Sequence, residues 1–366
     1  MSIIFVCKRY YTGKDVICHR FGRLYELPTQ LARLGHQVTV LCLDYRNTDH
    51  RNSFMEDFGS GSVRWFVVPV FSIFSFEVRE AYQIIKSSNP YLIIGSSDIP
   101  CLWLTSMLAK YCGVNYVVDL YDNYESFGQA RIPGFRKVLK SSVREAGAVI
   151  VVSSALKEKV IDSYMPGGPV LIMNNGVAKS SFYEGDRKIA RATLGLPEGV
   201  KLIGTAGSLS KMKGLDTVYE AWSRVESLTD DVYLVLAGRV EKGFPVPDGE
   251  RVVYLGELPE TQVGELFRAL DVGIIPAHDS EFGRYCFPQK LYEMLACNLP
   301  VVGARVGSIE AVLQADPNML FAPGDVDSLV ATVLQQVRGP VLAVGVKTME
   351  WVDLVKQIEP VILKSV

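Results

Sequence analysis

Histidine and cysteine are scarce in this 366-residue chain, and their placement excludes more than their number. None of the four histidines stands at metal-ligand spacing to another. The seven cysteines (7, 18, 42, 101, 112, 286 and 297) include no C-x-x-C pair. An odd, scattered set forms neither a disulfide framework nor a zinc site, and it reads as reduced, cytoplasmic usage. Excess charge is missing too. Lysine and arginine number 38 against 40 aspartates and glutamates, a net charge of −2, so no overall basic field exists to hold nucleic acid. No apolar run approaches the roughly 18–20 residues that cross a bilayer. The run Ser2–Cys7 is followed, not preceded, by Lys8 and Arg9 and lacks a cleavage site, so it reads as a buried first strand instead of a signal peptide. Short-period repeats and low-complexity tracts are absent as well.

What is present is the composition of a folded protein, 48% hydrophobic and 21% charged, with length for two domains of roughly 150 residues. Short β-branched runs alternate with amphipathic stretches from end to end, which implies βαβ units and parallel sheets. In the first half strands are predicted at 2–7, 37–43, 63–70, 91–95, 115–119, 148–153 and 169–173, with helices near 20–34, 76–88, 100–112, 134–146 and 154–164. The segment 178–200 is polar and reads as a linker with one helical stretch near 187–194. Beyond it the pattern restarts, with strands at 201–206, 232–237, 252–255, 272–276 and 300–304 and helices at 214–227, 260–269, 288–297 and 325–337. A last helical stretch occupies 347–364. The economical reading is two Rossmann-like, doubly wound α/β domains facing a central cleft, because open parallel sheets bind ligands at the carboxyl ends of their strands.

Two stretches carry chemistry. Phe287-Pro288-Gln289-Lys290-Leu291-Tyr292-Glu293 opens a helix with proline, and the free N–H groups and dipole of a helix N-terminus suit a diphosphate. Lys290 and Glu293 share a face of that helix, where the carboxylate can accept both hydroxyls of a ribose; the pair would also serve as an ordinary surface ion pair. Gly204-Thr205-Ala206-Gly207-Ser208-Leu209-Ser210-Lys211-Met212-Lys213-Gly214 is a small-residue turn between strand and helix, in which backbone N–H groups approach phosphates and lysine supplies counter-charge.

With these residues in view, the second half resembles the donor-binding domain of glycosyltransferase family 4, the retaining GT-B enzymes. The resemblance runs through Gly207…Lys213-Gly214-Leu215-Asp216, Leu234-Val235-Leu236-Ala237-Gly238, Tyr254-Leu255-Gly256, Ala269-Leu270-Asp271-Val272 and Pro288–Pro300. The first half agrees through Gly13, Leu34-Gly35-His36-Gln37-Val38, Val152-Ser153 and Asn174-Asn175-Gly176-Val177. The resemblance implies Lys213 on the donor diphosphate, Glu293 on its ribose, Gly13 beside donor phosphate and acceptor, and Arg239 among the base and phosphate contacts. Two positions depart from the family. Its arginine after the aligned Gly207 is Ser208 here, and the first glutamate of Glu-x7-Glu falls on Tyr285. Glu281 offers a carboxylate four residues earlier, and Lys211, Arg284 or Lys290 offers the missing charge.

The expectation is therefore a hexosyltransferase that moves a sugar, with retention, from a UDP- or GDP-sugar to an acceptor hydroxyl in polysaccharide or glycolipid assembly. Residues 1–178 would bind a glycan or lipid-linked acceptor, 179–346 the nucleotide-sugar donor, and 347–366 would pack back on the first domain. The implied catalytic residues are Asp122, Lys213 and Glu293, and the implied donor contacts Gly13, Ser208, Lys213, Arg239, Pro288, Lys290 and Glu293. No cofactor, metal or nucleic-acid partner is expected. Asp122 would orient the acceptor or steady positive charge on the sugar, or merely cap the next helix. The basic stretch 131–144 suits a peripheral contact with an anionic membrane at the inner face of the cell membrane, or a solvated helix face. Ser208 and Tyr285 also suit a catalytically silent nucleotide- or glycan-binding partner subunit, and a GT-B sugar-nucleotide epimerase is the third reading.

Overall fold

A computed structural model describes residues 1–11, 13–46, 53–70 and 76–365. The chain forms two compact units, residues 1–175 with 351–366, and residues 176–350. Each is a Rossmann-like parallel sheet with helical connections.

In the first unit the strands are β1 (Ser2–Lys8), β2 (Tyr10–Tyr11), β3 (Lys14–Asp15), β4 (Gln37–Asp44), β5 (Phe54–Asp57), β6 (Ser62–Pro69), β7 (Leu92–Ser96), β8 (Tyr116–Leu120), β9 (Ala148–Val151) and β10 (Val170–Ile172). The eight-stranded sheet has the order β10-β9-β8-β7-β1-β4-β6-β5 and is parallel except for β5 on β6. Its inner strands are buried on both faces, so Ile3-Ile4-Phe5-Val6-Cys7 and Leu92-Ile93-Ile94 read as unbroken apolar runs. The helices are α1 (Arg23–Arg33), α2 (Phe76–Ser88), α3 (Ile99–Cys112), α4 (Phe135–Arg144) and α5 (Ser154–Tyr164). Asp98 caps α3 by accepting the Cys101 N–H at 3.0 Å, and Ser153 caps α5 through the Leu156 N–H at 3.2 Å.

The second unit begins with α6 (Arg187–Leu194), then β11 (Lys201–Ala206), α7 (Leu215–Leu228), β12 (Val232–Ala237), β13 (Val252–Tyr254), α8 (Glu260–Ala269) and β14 (Val272–Ile275). It continues with α9 (Glu281–Tyr285), α10 (Gln289–Ala296), β15 (Val301–Ala304), α11 (Gly307–Leu313), β16 (Leu320–Phe321) and α12 (Val326–Arg338). The six strands are parallel in the order β13-β12-β11-β14-β15-β16. The chain winds outward from β11 in both directions, so the switch point lies between β11 and β14. Helix α13 (Trp351–Lys364) belongs to the first unit and packs on α1, with Glu359 3.0 Å from His36 Nε2.

Several elements differ from the sequence reading. The stretch 178–200 is no slack linker: α6 lies against α8, and buried Arg191 donates to Ala269 O at 3.0 Å, Val200 O at 3.0 Å and Asp271 at 2.7 Å. Helix α1 starts only at Arg23, because Gly22 at φ +71° breaks the turn before it. The hairpin β2–β3, strands β5 and β16, and helices α9 and α11 went unread, since two to seven residues show no usable periodicity.

Candidate active site

The switch point of the second unit gathers four pieces of chain. Strand β11 ends in Gly207 at φ +117°, and β12 ends against it: a Cβ built on Gly238 would lie 1.8 Å from Gly207 O. From Ser210 the chain makes a 3-10 turn, Lys211–Lys213, that delivers Gly214 to the start of α7. A Cβ on Gly214 would meet the Ala277 backbone at 3.1 Å, so the loop after β14 closes on this turn. Helix α10 then brings Lys290 over Gly207, where a Cβ would lie 2.2 Å from Lys290 Nζ. Only glycine leaves room there for an ammonium group directly over the end of β11.

The charges around that point are tightly coupled. Lys213 sits with its ammonium 3.9 Å from the centre of the Phe282 ring, and it is close enough to Lys290 to repel it. Burial first, then Lys213, pushes Lys290 down to about 8, against the pull of Glu293. Burial drives Glu293 up to about 7, opposed by a hydrogen bond from Gln289 and by the Lys290 charge, and assisted by Glu260. Gln289 Nε2 donates at 3.0 Å both to Glu293 Oε1 and to Gly176 O, while its own Oε1 is buried without a partner. Two strongly displaced titrations on one helical turn, at a sheet switch point, make this the candidate functional site.

The sequence-derived residues fall as follows. Lys213, Lys290 and Glu293 converge. Pro288 is buried at the head of α10, but two of the N–H groups expected to be free are taken: Gln289 N–H by Phe287 O at 2.9 Å and Leu291 N–H by Pro288 O at 3.0 Å. The Lys290 side chain, more than the helix opening, therefore presents positive charge. Ser208 is exposed on the β11 turn, and Arg239 is exposed after β12 while its carbonyl accepts the Leu209 N–H. Of the three candidate replacement cations, Lys211 is exposed and Arg284 is held by Asp279 through two bonds of 2.6 and 3.0 Å. Lys290 alone of the three is placed over Gly207. His278 pairs with Asp216 at 3.0 Å, fastening the loop after β14 to the first turn of α7. Sequence reasoning passed over Phe282 and Gln289; the i, i+4 spacing of Gln289 to Glu293 was the available signal.

Gly13 and Asp122 belong to the first unit. Gly13, at φ +84°, turns the β2–β3 hairpin. Asp122 follows β8 and accepts the Asn123 N–H at 2.7 Å, and the residue that caps the next turn is Asn123, not Asp122. Beneath it lies a buried network the sequence reading missed. Arg23 grips Asp119 at 2.7–3.0 Å and donates to Met173 O at 2.7 Å, and Ser96 adds a bond to Asp119 at 2.7 Å. Beside it Ser97 holds φ +88°, a strained value for a residue with a side chain, and its Oγ accepts the Lys8 N–H at 2.8 Å. The Lys8 ammonium faces the rings of Tyr11, Tyr121 and Phe127 at 5.8–5.9 Å. In the basic stretch, Arg131, Arg136, Lys137, Lys140 and Arg144 are exposed while Leu139 and Val143 are buried. Among the described residues no helix is long and apolar enough to cross a membrane.

Two parallel-sheet Rossmann-like units, one ending in a paired-lysine and carboxylate site at its switch point, define the architecture of a GT-B glycosyltransferase. The comparisons agree. The family described as Glycosyltransferase Family 4 matches residues 23–180, and that described as Glycosyl transferases group 1 matches residues 200–338. The chain belongs to glycosyltransferase family 4. It is 28% identical over 185 residues to the D-inositol 3-phosphate glycosyltransferase of Mycolicibacterium gilvum, covering 47% of this chain and 40% of that one. The corresponding enzyme of Stackebrandtia nassauensis is 26% identical over 251 residues, 64% of this chain and 54% of the relative. The chain thus spans about half the length of the curated relatives it matches. Among solved structures, sucrose-phosphate synthase from Thermosynechococcus elongatus superposes with TM-score 0.70 at 17% identity, over 99% of this chain and 96% of that one. HepE from Anabaena, solved with UDP and glucose, gives 0.69 at 18% identity over 98% of each chain.

Proposed function

We propose that this protein transfers a glycosyl group, with retention, from a nucleotide-diphospho-sugar to an acceptor hydroxyl. The observation that carries the reading is the placement of the Lys290 ammonium over Gly207, with Lys213 near enough to repel it and Glu293 one helical turn further along α10. Two neighbouring ammonium groups, one of them over a glycine turn, answer the two phosphates of a nucleoside diphosphate, and Glu293 takes the ribose hydroxyls beside them. As the bond to the sugar breaks, negative charge grows on the departing phosphate, and cations fixed there stabilise the transition state more than the ground state. We assign no resident cofactor or metal; the lysines supply the positive charge. Asp122, in the first unit, is assigned to the acceptor side. The crystal complexes of HepE with UDP and with UDP-glucose support a uridine nucleotide as donor. The phosphorylated acceptor in the names of the curated relatives supports a small hydrophilic acceptor over the lipid-linked one.

Ser208 counted toward a silent partner subunit because it leaves the family's arginine unfilled; we assign Lys290, which lies over Gly207, as the replacement cation, which favours a competent enzyme. A thermal-shift screen against UDP-, GDP- and ADP-sugars tests the donor assignment. A donor at a hundred times its Kd adds about 2.7 kcal/mol of stability. No shift with any of them, together with no sugar release, would overturn the reading. We also assign the exposed cations of 131–144 to an anionic membrane surface, tested by charge reversal at Arg136, Lys137 and Lys140.

A further inference from the structure

The first unit leaves one helix face uncovered. Helix α3 buries Cys101, Leu102, Thr105 and Ala109, yet Trp103, Met107 and Tyr111, spaced i, i+4 and i+8, are 51%, 49% and 55% exposed. Tyr82 of α2 extends the stripe, with its hydroxyl 2.6 Å from that of Tyr111. Single exposed apolar residues are ordinary, but an aligned row of large ones marks a contact surface. Helix α4 packs beside α3, and Lys110 on α3 reaches Glu145 just after α4 at 2.9 Å. The outward positions of α4 are Arg136, Lys137, Lys140 and Arg144, all exposed, and Ile132 just before it is 47% exposed.

We propose that this face docks on an anionic lipid bilayer, with Trp103, Met107 and Tyr111 entering the headgroup boundary while the α4 cations lie against lipid phosphates. The proposal rests on the assignment of 131–144 given above and adds an apolar anchor carried by a different helix. Charge complementarity selects the occupant. Trp and Tyr rings settle at the level of lipid headgroups, and cations beside an apolar stripe suit an interface between water and acyl chains. A second copy of the chain is disfavoured, because a twofold contact through this face would bring the α4 cations of both copies together.

Vesicles of phosphatidylglycerol mixed with phosphatidylcholine, and of phosphatidylcholine alone, provide the test on the full chain. Trp65 and Trp222 are buried at 0% and 2%, and Trp351, half-buried at the start of α13, is replaced by Phe in the protein used for fluorescence, so Trp103 dominates any change of tryptophan environment. Binding to the anionic vesicles with a blue shift of emission is expected, and a residual fraction should survive salt that screens surface charge. The pair Trp103→Ala and Met107→Ser, both on solvent-facing positions, should weaken partitioning by about tenfold and remove the salt-resistant fraction. Each cation neutralised on α4 should weaken it by about fivefold. If charge reversal abolishes binding while the α3 variants bind as the parent does, and the parent shows no blue shift, the anchor is refuted and the 131–144 contact stands alone. Absence of binding to either vesicle refutes both. A dimer in solution that Trp103→Ala converts to monomer assigns the face to a second copy and overturns the proposal.

Discussion

Replacing Lys290 with methionine is expected to make the protein more stable while loosening its hold on nucleotide. Burial and the Lys213 ammonium bring Lys290 from 10.5 down to about 8. At roughly 1.4 kcal/mol per pH unit, keeping this group charged at neutral pH costs the free protein at most about 3.5 kcal/mol. The side chain keeps partial solvent contact, and screening trims the figure to roughly 1–2 kcal/mol. Glu293 loses a favourable neighbour in the variant, but with its titration already at about 7 it answers chiefly by taking up a proton. Methionine fills nearly the same volume, so little cavity cost offsets the gain.

For a unit of residues 176–350 that gain corresponds to a rise in Tm of about 2–8 °C. The sign with pH is fixed by the depressed value. The cost of the ammonium is in full force below about 8 and fades as pH rises toward 10.5, so parent and variant should converge in melting temperature near pH 10. Calorimetric titration with UDP and GDP completes the test: the variant should bind at least about tenfold more weakly, a loss of about 1.4 kcal/mol. Near pH 8 the parent should take up a fraction of a proton on binding, visible as a dependence of the binding enthalpy on the buffer, because a diphosphate restores the Lys290 charge. A variant that melts lower than the parent, or that binds nucleotide equally well, refutes the placement of Lys290 as the second phosphate cation.

Four further expectations follow from the same geometry. Lys213→Ala should lower kcat/KM for the donor by more than tenfold, a loss above about 1.4 kcal/mol of transition-state binding, and near-parental transfer rates would contradict its phosphate role. Glu293→Ala should weaken nucleotide binding by about 1.5–3 kcal/mol, and parental affinity by calorimetry would remove the ribose assignment. In Gln289→Leu the Glu293 carboxylate loses the hydrogen bond that favours its ionised form, so nucleotide affinity should begin to fall at a higher pH than in the parent, where the midpoint lies at about 7. An unmoved midpoint would show that Gln289 does not position Glu293. Arg23→Met should destabilise the first unit by about 3–5 kcal/mol, read from the urea midpoint, since it leaves Asp119 buried and unpaired.

The long elements were legible because each carries its own signal. Strands β1, β4, β11 and β12 are largely apolar runs, helices α5 and α12 have both period and caps, and α8 has its period after Pro259, so their ends fall within a residue or so of expectation. Short pieces were not legible, and they build much of the site's surroundings. Helix α9 has five residues, yet it carries the Phe282 ring under Lys213 and the Arg284 that Asp279 holds. The order of importance among the three spare lysines and arginines was equally hidden. Spacing alone cannot show that Lys290 reaches back to Gly207 across more than eighty residues of sequence, because that contact is made by the sheet, not by the helix. In the first unit, Asp122 was singled out after β8, whereas the role of Asp119, within that strand, is visible only where Arg23 meets it in the fold.

The contrast between the two polar clusters supports the one proposed above as the ligand site. Around Asp119 the bonds are complete: Arg23, Ser96 and the carbonyls at the end of the sheet satisfy one another within the fold. A network of that kind stiffens a unit and specifies its packing. The site at Gly207 is left unfinished by the protein alone. Two ammonium groups repel each other, Glu293 is held near half-protonation, and the buried Gln289 Oε1 and Ser210 Oγ have no partner. Each of these costs stability, and each involves a group that a diphosphate joined to a ribose would satisfy or would place in new contacts. Local rules broken together at one switch point, inside a unit whose core is otherwise well packed, are what a binding site retains because selection acts on the complex and not on the free protein.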